Sequence, residues 1–181
     1  MAVAAPTNCW TEAEADIGAA LPQLDAWRSL CRVTTAEAAA RHVFGEKVGE
    51  PIDGEALSED EILATGTYAM VYSTSEQPYR LARVRTRQLI ASGQAILFIE
   101  HLVTENAAAE AEEPLELERT FKNDVGDLME QLVAYFDTHG GPQINSIEVE
   151  AGPGWNHSDD WPTEGRRVGA SLLIAWGRDA Q

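Results

Sequence analysis

The sequence predicts an α+β fold, in which a mainly antiparallel sheet of about five strands is covered by a long helix, with further helices at the N-terminus. Apolar residues recur at helical spacing over 117–136, and the segments on both sides carry the patterns of strands. Short connections between successive strands favour antiparallel pairing. The 181 residues fit one domain, with a helical part and an acidic connection in 1–65 and a sheet-plus-helix core in 66–177.

The N-terminal part carries two capping boxes, each predicting the start of a helix. The first joins Thr11 to Glu14, and its helix runs to about Ala20 before Pro22 breaks or kinks it. A helical face continues after the break on three apolar residues: Leu24, Trp27 and Leu30.

The second capping box joins Thr34 to Glu37 and predicts a helix that runs through Phe44 and ends at Gly45. The next twenty residues, 46–65, form a polar and strongly acidic connection.

Three strands are predicted before the long helix. Residues 66–73 alternate in strand periodicity, 79–89 form a second strand, and 94–103 are apolar on both faces, which is typical of a central strand. Ser92 and Gly93 are predicted to turn the chain between the second and third strands.

The long helix is followed by two more predicted strands. Its apolar face consists of Leu117, Phe121, Val125, Leu128, Leu132 and Phe136. The strands 143–150 and 167–176 follow, the last with an inward face of Val168, Ala170, Leu172, Ile174 and Trp176. A polar loop of about fourteen residues, 152–165, separates them.

The charge balance restricts the partners. Thirteen basic residues against 30 acidic ones give a net charge of −17, which repels nucleic acid and anionic lipid. The two cysteines lack zinc spacing and fit reduced thiols. The start of the chain has no basic region followed by a long apolar run, so we expect a soluble protein made in the cytoplasm.

No phosphate-binding loop, nucleophile elbow or zinc-protease motif occurs in the chain, so we predict no catalytic residue, cofactor or metal. His42 and His139 lie near the ends of predicted helices, where a cation suits the helix dipole. His101 lies in the central strand, where a hydrogen-bonded and partly buried side chain is expected.

Two groups of residues are candidates for an interface. In the loop 152–165, an aromatic and polar cluster indicates a docking element, because tryptophan is enriched at interaction hot spots. One histidine and two carboxylates there could instead ligate a metal. The cluster consists of Trp155, His157, Asp159, Asp160 and Trp161.

The second candidate is an arginine stripe in the strand 79–89. Arg83, Arg85 and Arg87 alternate onto one strand face. They could bind an anion or a nucleic acid, but in so acidic a chain we expect them to pair with acidic groups of the same or an adjacent subunit.

The order of these segments resembles the tail terminator proteins of long-tailed, lambda-like bacteriophages. The resemblance lies in the helix segment 124–132, in Ile144–Val149, in the loop with Asp159 and Asp160, in the last strand 169–176 and in the middle strand 92–100. It covers residues 66–177 as a pattern, whereas the helix from Thr35 to Phe44 and the acidic connection depart from it.

The resemblance implies a structural protein of the virion and no enzyme. Such a protein forms a ring, usually of six copies, that caps the tail tube and joins it to the head–tail connector or stopper protein. DNA passes through without specific binding, and no membrane is involved. The expected location is the tail or neck of the virion, and the host cytoplasm during assembly.

Three alternatives stay open. The chain could be another head–tail connector or tail-completion protein, a cellular binding module, or a metal-dependent enzyme. The enzyme alternative requires that acids and histidines converge in a cleft.

Overall fold

The α+β class is confirmed by a computed structural model, which describes residues 9–45, 66–73, 80–83, 89–103, 114–139, 146–151, 156–158 and 166–180. The helices are α1 (Cys9–Ala20), a 3-10 turn (Leu21–Gln23), α2 (Asp25–Leu30), α3 (Ala36–Ala40) and the long α4 (Pro114–His139). The strands are β1 (Val43–Phe44), β2 (Thr67–Tyr72), β3 (Arg80–Arg83), β4 (Leu89–Val103), β5 (Ser146–Ala151), β6 (Asn156–Ser158) and β7 (Arg166–Ala180). No helix in the described ranges is long and apolar enough to cross a membrane.

Two long strands form the centre of the sheet. β4 and β7 contain 15 residues each and pair antiparallel along their whole length. On the outer side of β4, β2 and β3 follow one another, and on the outer side of β7, β5 and β6 do the same. Each central strand is therefore flanked on its outer side by two shorter strands, which lie one after the other along its length.

The predicted sheet is confirmed only in part. The described strands form one seven-stranded sheet, more than the five predicted, and β1 pairs with β2 in parallel. The additional strands are short: β1 has two residues and β6 has three. Segments this short carry too few residues to show a period of two, so no pattern in the sequence indicates them.

All helices whose packing is described lie on one face of the sheet. α1 packs against β2 and β4, while α4 packs against β5 and β7, and α2 bridges to α4. Their buried side chains join those of the sheet in one core cluster. The long-helix prediction is confirmed for Phe121, Val125, Leu128, Leu132 and Phe136, which are at most 4% exposed. We call this side of the sheet the helix-covered face.

The first capping box is wrong, because α1 already includes Cys9 and Thr11 therefore lies inside the helix. Glu14 makes a tertiary contact instead, since its Oε1 accepts a hydrogen bond of 2.7 Å from the backbone N–H of Ser73, just after β2. The helix ends at Ala20 as predicted, Pro22 lies in the 3-10 turn that follows, and Leu24, Trp27 and Leu30 after it are buried.

The helix predicted to run through Phe44 ends at Ala40. Its cap is Thr35 and not Thr34, because the side chain of Thr35 accepts a hydrogen bond from Ala38 N at 3.2 Å. Val43 and Phe44 then pair with β2 as a parallel strand. Tertiary pairing thus prevails over local helix propensity once the alanine run stops.

The turn predicted at Ser92 and Gly93 is also wrong, because both lie inside β4. Arg83 is the register partner of Leu89, so the chain reverses direction before Leu89. Gly93 lies opposite Trp176, and a Cβ built on Gly93 would be 2.7 Å from the indole ring. The glycine therefore makes room for a core tryptophan, a known use of glycine in strands.

The segment between β5 and β7, predicted as one continuous loop over 152–165, contains a short strand. Residues 156–158 form β6, in which His157 is the register partner of Val168. The last strand is confirmed and extends over Arg166–Ala180, and the strand predicted over 143–150 is β5, which runs over Ser146–Ala151.

Candidate interaction surface

The outer face of the sheet, opposite the helices, is rich in apolar and aromatic residues. Because side chains alternate along a strand, the neighbours of the core residues occupy this face. Two rows of register partners cross it: Met70, Phe98 and Ser171 form one, and Tyr72, Ile96 and Leu173 form the other. We define the outer face by its partly exposed apolar residues: Tyr68, Met70, Tyr72, Ile96, Phe98 and Leu173.

Aromatic contacts hold this surface together. The ring centroid of Tyr68 lies 6.1 Å from that of Phe44 and 6.5 Å from that of Phe98. The Tyr68 hydroxyl donates to Glu100 Oε2 at 3.0 Å, which anchors the ring across the β2–β4 pair. The Phe98 ring lies over Gly169, whose Cβ would contact it at 3.6 Å. The face is thus ordered and apolar without being fully buried.

A hydrogen-bond network on the helix-covered face joins the N-terminal helices to the sheet. Thr67, 1% exposed, donates its hydroxyl hydrogen to the Leu30 carbonyl at 3.1 Å. The Thr67 hydroxyl oxygen also lies 2.8 Å from His101 Nδ1, and the Thr67 backbone carbonyl oxygen lies 2.7 Å from His42 Nδ1. Since the hydroxyl hydrogen is committed to Leu30 and a carbonyl only accepts, both histidines must carry a proton on Nδ1.

Both imidazoles of this network are held in the neutral form. Burial, together with the Arg32 charge, lowers the pKa of His101 from 6.5 to about 4. Burial also lowers the pKa of His42, against the opposing effect of its hydrogen bond to Thr67. The prediction that His42 is a cation at a helix end is therefore wrong, because its helix ends earlier and the ring is 4% exposed.

The prediction for His101 is confirmed: the side chain lies in a central strand, is hydrogen-bonded and partly buried, and stacks on Phe121 of α4 at 5.7 Å. His139 lies in the last turn of α4 as predicted, is exposed, and stacks on Tyr135 at 4.7 Å. These contacts describe structural histidines, since each ring packs against a neighbouring aromatic side chain.

Of the predicted interface residues, two lie in described strands. Arg83 is the last residue of β3, and His157 is in the middle of β6. Arg85, Arg87, Trp155, Asp159, Asp160 and Trp161 lie outside the described residues. The structure thus moves His157 from a loop to a sheet strand and leaves the remaining interface predictions as predictions.

The described residues offer little that could hold a metal or a reactive small ligand. In the described ranges, no three His, Cys, Asp or Glu side chains are grouped so that they could hold a metal ion. A groove of about 220 Å³ between α1 and α3 is lined mainly by small side chains, among them Gly18, Ala19, Ala36 and Ala40, with Glu37 as its titratable group. Burial raises the pKa of the Cys31 thiol, which disfavours the reactive thiolate.

Sequence reasoning missed two features. The network of Thr67, His42 and His101 joins residues up to 59 positions apart, and no local pattern indicates it. The outer face had a signal, because Tyr68, Met70 and Tyr72 alternate with Ala69 and Val71, but the alternation alone does not show which side is covered.

The chain was compared with known proteins. No protein family model matches it, and no curated protein matches it.

Proposed function

We propose that this protein is a structural component of a phage virion, a tail terminator that forms a ring on the tail tube and joins it to the head connector. The proposal rests on the resemblance in sequence pattern and on one structural observation. That observation is the outer face, where six apolar residues of three adjacent strands remain partly exposed.

The outer face supports an assembly role because of its composition. Aromatic residues and methionine are enriched in protein–protein interfaces, and charged residues are depleted from interface centres. Tyr68, Tyr72 and Phe98 provide large contact areas with few rotatable bonds, so little entropy is lost on binding. A second copy of the chain is the partner that a ring requires.

The hydrogen-bonded polar groups of the described core also support a structural role. Thr67 forms hydrogen bonds with the Leu30 carbonyl and with the Nδ1 atoms of His42 and His101, and these bonds hold the N-terminal helices on the sheet. Buried polar groups that are hydrogen-bonded in this way fix one arrangement of the core.

The net charge fits passage of DNA without binding. At −17 per copy, ring subunits repel a polyanion. The same charge opposes ring formation, so we expect association to strengthen with added salt or magnesium, which screen the repulsion. Light scattering over a salt and magnesium series measures this, and weaker association at high salt would contradict it.

The direct test combines the purified protein with polymerised tail tubes of the same phage. We expect sedimentation with the tubes and ring-shaped density at one tube end by electron microscopy. Leu173→Asp, on the outer face, should abolish ring formation, whereas Asp137→Asn, exposed on α4, should not. Failure of the wild-type protein to bind tube ends would refute the terminator proposal.

The loop 152–165 is part of the same proposal as a docking element. Trp155→Ala combined with Trp161→Ala should leave the thermal unfolding unchanged and abolish attachment to the ring, the tube or the connector. Stoichiometric metal binding that is lost in His157→Ala would instead favour the enzyme alternative.

A further inference from the structure

We infer that two copies of this chain pair through α4, with the two helices side by side and antiparallel, in a symmetric dimer held by opposite charges. The inference does not rest on the proposed function. α4 packs on the helix-covered face, so the pairing leaves the outer face of each copy open. A symmetric contact closes after two copies, and it is therefore a contact additional to that of the ring.

Two sides of α4 are occupied within the chain, and a third side is not. The first is the buried face on the sheet, from Phe121 to Phe136. The second meets α2, where Gln131 Oε1 accepts a hydrogen bond of 3.0 Å from the Ala26 backbone N–H. Successive helix residues are about 100° apart, so Gly126 lies well away from both sides. We call the stripe along this third side the seam, and its residues follow one another at spacings of four and three: Arg119, Asn123, Gly126, Glu130, Val133 and Asp137.

The seam has the spacing and the exposure of a helix-pairing surface. Alternating steps of four and three residues keep two helices in contact along a coiled-coil interface. Four residues of the seam are exposed, and Gly126 and Val133 are partly exposed. Met129, also partly exposed, lies beside them. The seam is thus accessible along about five turns of the helix.

Gly126 is the residue of the seam that the single chain does not explain. A glycine inside a helix is destabilising relative to alanine, because it loses more conformational freedom on folding. Its φ is not positive, and no described atom of another element lies within 4 Å of the position that a Cβ would take. A glycine at such a place permits the close approach of another chain.

The charges along the seam are separated by sign. Its N-terminal third carries Arg119, with Lys122 beside it, and its C-terminal half carries Glu130 and Asp137. The exposed Asp127 lies about a quarter turn to the side. In a parallel pair, like charges would meet along the seam, whereas in an antiparallel pair the basic third of each helix lies against the acidic half of the other. Such charge patterns select the orientation of a partner helix, and here the seam complements itself.

One register brings these groups together. When Gly126 of one copy is level with Glu130 of the second copy, Arg119 is level with Asp137, because both pairs are symmetric about the same point. Glu130 of the second copy then covers the glycine and lies about one turn from Lys122. Each copy carries −17 overall, so the pairing has to overcome a general repulsion that salt screens.

The test exchanges the charges of the seam. One variant, Arg119→Glu with Lys122→Glu, makes the seam acidic, and the other, Glu130→Lys with Asp137→Lys, makes it basic. Each should dimerise about tenfold or more weakly than the wild type in sedimentation equilibrium at about 0.15 M salt. A mixture of the two should form heterodimers. The variant with all four substitutions should dimerise like the wild type, since its seam is complementary again and its net charge is still −17.

A matched control separates the seam from net charge. Glu130→Lys with Asp137→Lys makes the chain less negative, so general repulsion alone predicts stronger association, whereas the seam predicts weaker association. Glu37→Lys with Glu148→Lys, at exposed positions of α3 and β5, changes the net charge equally and should not weaken the dimer. Far-ultraviolet circular dichroism and thermal melting of every variant establish that it is folded.

Gly126 provides an independent readout with two opposite signs. Gly126→Gln should raise the midpoint of thermal unfolding of the dilute, monomeric protein, because glutamine favours the helix and the new side chain meets open space. The same variant should weaken the dimer about tenfold, because its side chain occupies the place of Glu130 of the second copy. Leu173→Asp, on the outer face, should leave the dimer unchanged.

Three results would overturn the pairing. The first is a wild type that stays monomeric at about 1 mM protein. The second is a pair of seam variants that dimerise as well as the wild type, or a fourfold variant that does not recover. The third is loss of the dimer in Leu173→Asp, which would assign the association to the outer face and leave the ring proposal standing.

Discussion

The two faces of the sheet differ in burial although they are built from neighbouring residues of the same strands. Leu97, Ile99 and Leu172 are fully buried under the helices, while Ile96, Phe98 and Leu173, one position away, remain partly exposed. The helix-covered face excludes water, so its contacts determine folding stability. The outer face keeps apolar side chains partly in water, which costs free energy in the isolated chain and is recovered if another surface covers them.

The largest expected difference between the two faces is the loss of stability caused by an aspartate on the helix-covered face of β4 compared with an aspartate on its outer face. Leu97→Asp buries an unpaired charge and should cost more than about 4 kcal/mol, enough to unfold the domain. Leu128→Asp, at the centre of α4, should do the same. Ile96→Asp should cost about 1 kcal/mol, because its carboxylate stays in contact with water.

Urea unfolding followed by circular dichroism measures this difference. A folded and cooperative Leu97→Asp or Leu128→Asp variant would mean that the core is misplaced. If Ile96→Asp also unfolds, the outer face is buried within the single chain and the distinction between the faces fails.

The second prediction uses acid to test the helix-covered face. The unfolded chain binds a proton at His101 near pH 6.5, and the folded protein does so only near pH 4. The contribution of this neutral ring is therefore complete above pH 6.5 and is lost as the pH falls from 6.5 towards 4. The loss amounts to about 3 kcal/mol from His101, and His42 changes in the same direction.

The free energy of unfolding, measured by urea titration between pH 7 and 4, should follow this decrease. His101→Gln should flatten it, while His139→Gln, at an exposed position of α4, should leave it unchanged. An equally steep decrease in His101→Gln would assign the acid sensitivity to other groups.

The third prediction compares one glycine on each face. A Cβ at Gly93 would lie 2.7 Å from the Trp176 indole, which is itself 3% exposed. Gly93→Ala should therefore destabilise the protein by about 1–3 kcal/mol, as overpacking of a core does. A Cβ at Gly169 would meet Phe98 at 3.6 Å, an ordinary contact, so Gly169→Ala should be neutral within about 0.5 kcal/mol.

Thermal unfolding of the two variants measures the difference, and Gly93→Ala combined with Trp176→Leu is the control. The smaller leucine should relieve the overlap, so the cost of Gly93→Ala should decrease in that background. Equal effects of the two glycine substitutions would show that Trp176 does not pack on Gly93.

Sequence patterns predicted the long elements and failed where tertiary contacts decide. The buried face of α4 repeats over about four turns, and the inward residues of β7 alternate over nine positions, so both were found. Gly93 was taken for a turn residue because its partner, Trp176, lies 83 positions away. Val43 and Phe44 were assigned to a helix because two residues cannot show a strand period.

For the candidate surfaces, the strand pattern placed Arg83 in a strand but did not show that this strand lies at one edge of the sheet and the strand of Glu148 at the other. That relation depends on strand order, in which β4 and β7 separate β3 from β5. Similarly, the alternation in β2 indicated two faces but could not show which one the helices cover. Information of this kind is topological and is absent from any single segment.

The last prediction compares two hydrogen bonds between adjacent cross-strand pairs of β2 and β4. Thr67 pairs with His101 on the helix-covered face, and Tyr68 pairs with Glu100 on the outer face. Thr67→Val keeps the side-chain shape but leaves the Leu30 carbonyl and His101 Nδ1–H without the hydroxyl, which should cost about 1–3 kcal/mol because both groups are desolvated. Tyr68→Phe removes one hydroxyl from a partly exposed carboxylate that water can reach, so it should cost about 0.5–1 kcal/mol.

Urea unfolding at pH 7 ranks the stability losses of the two variants, and Thr67→Ser, which keeps the hydroxyl, should lose less stability than Thr67→Val. A larger loss in Tyr68→Phe than in Thr67→Val would reverse the assignment of stability to the helix-covered face and of association to the outer face.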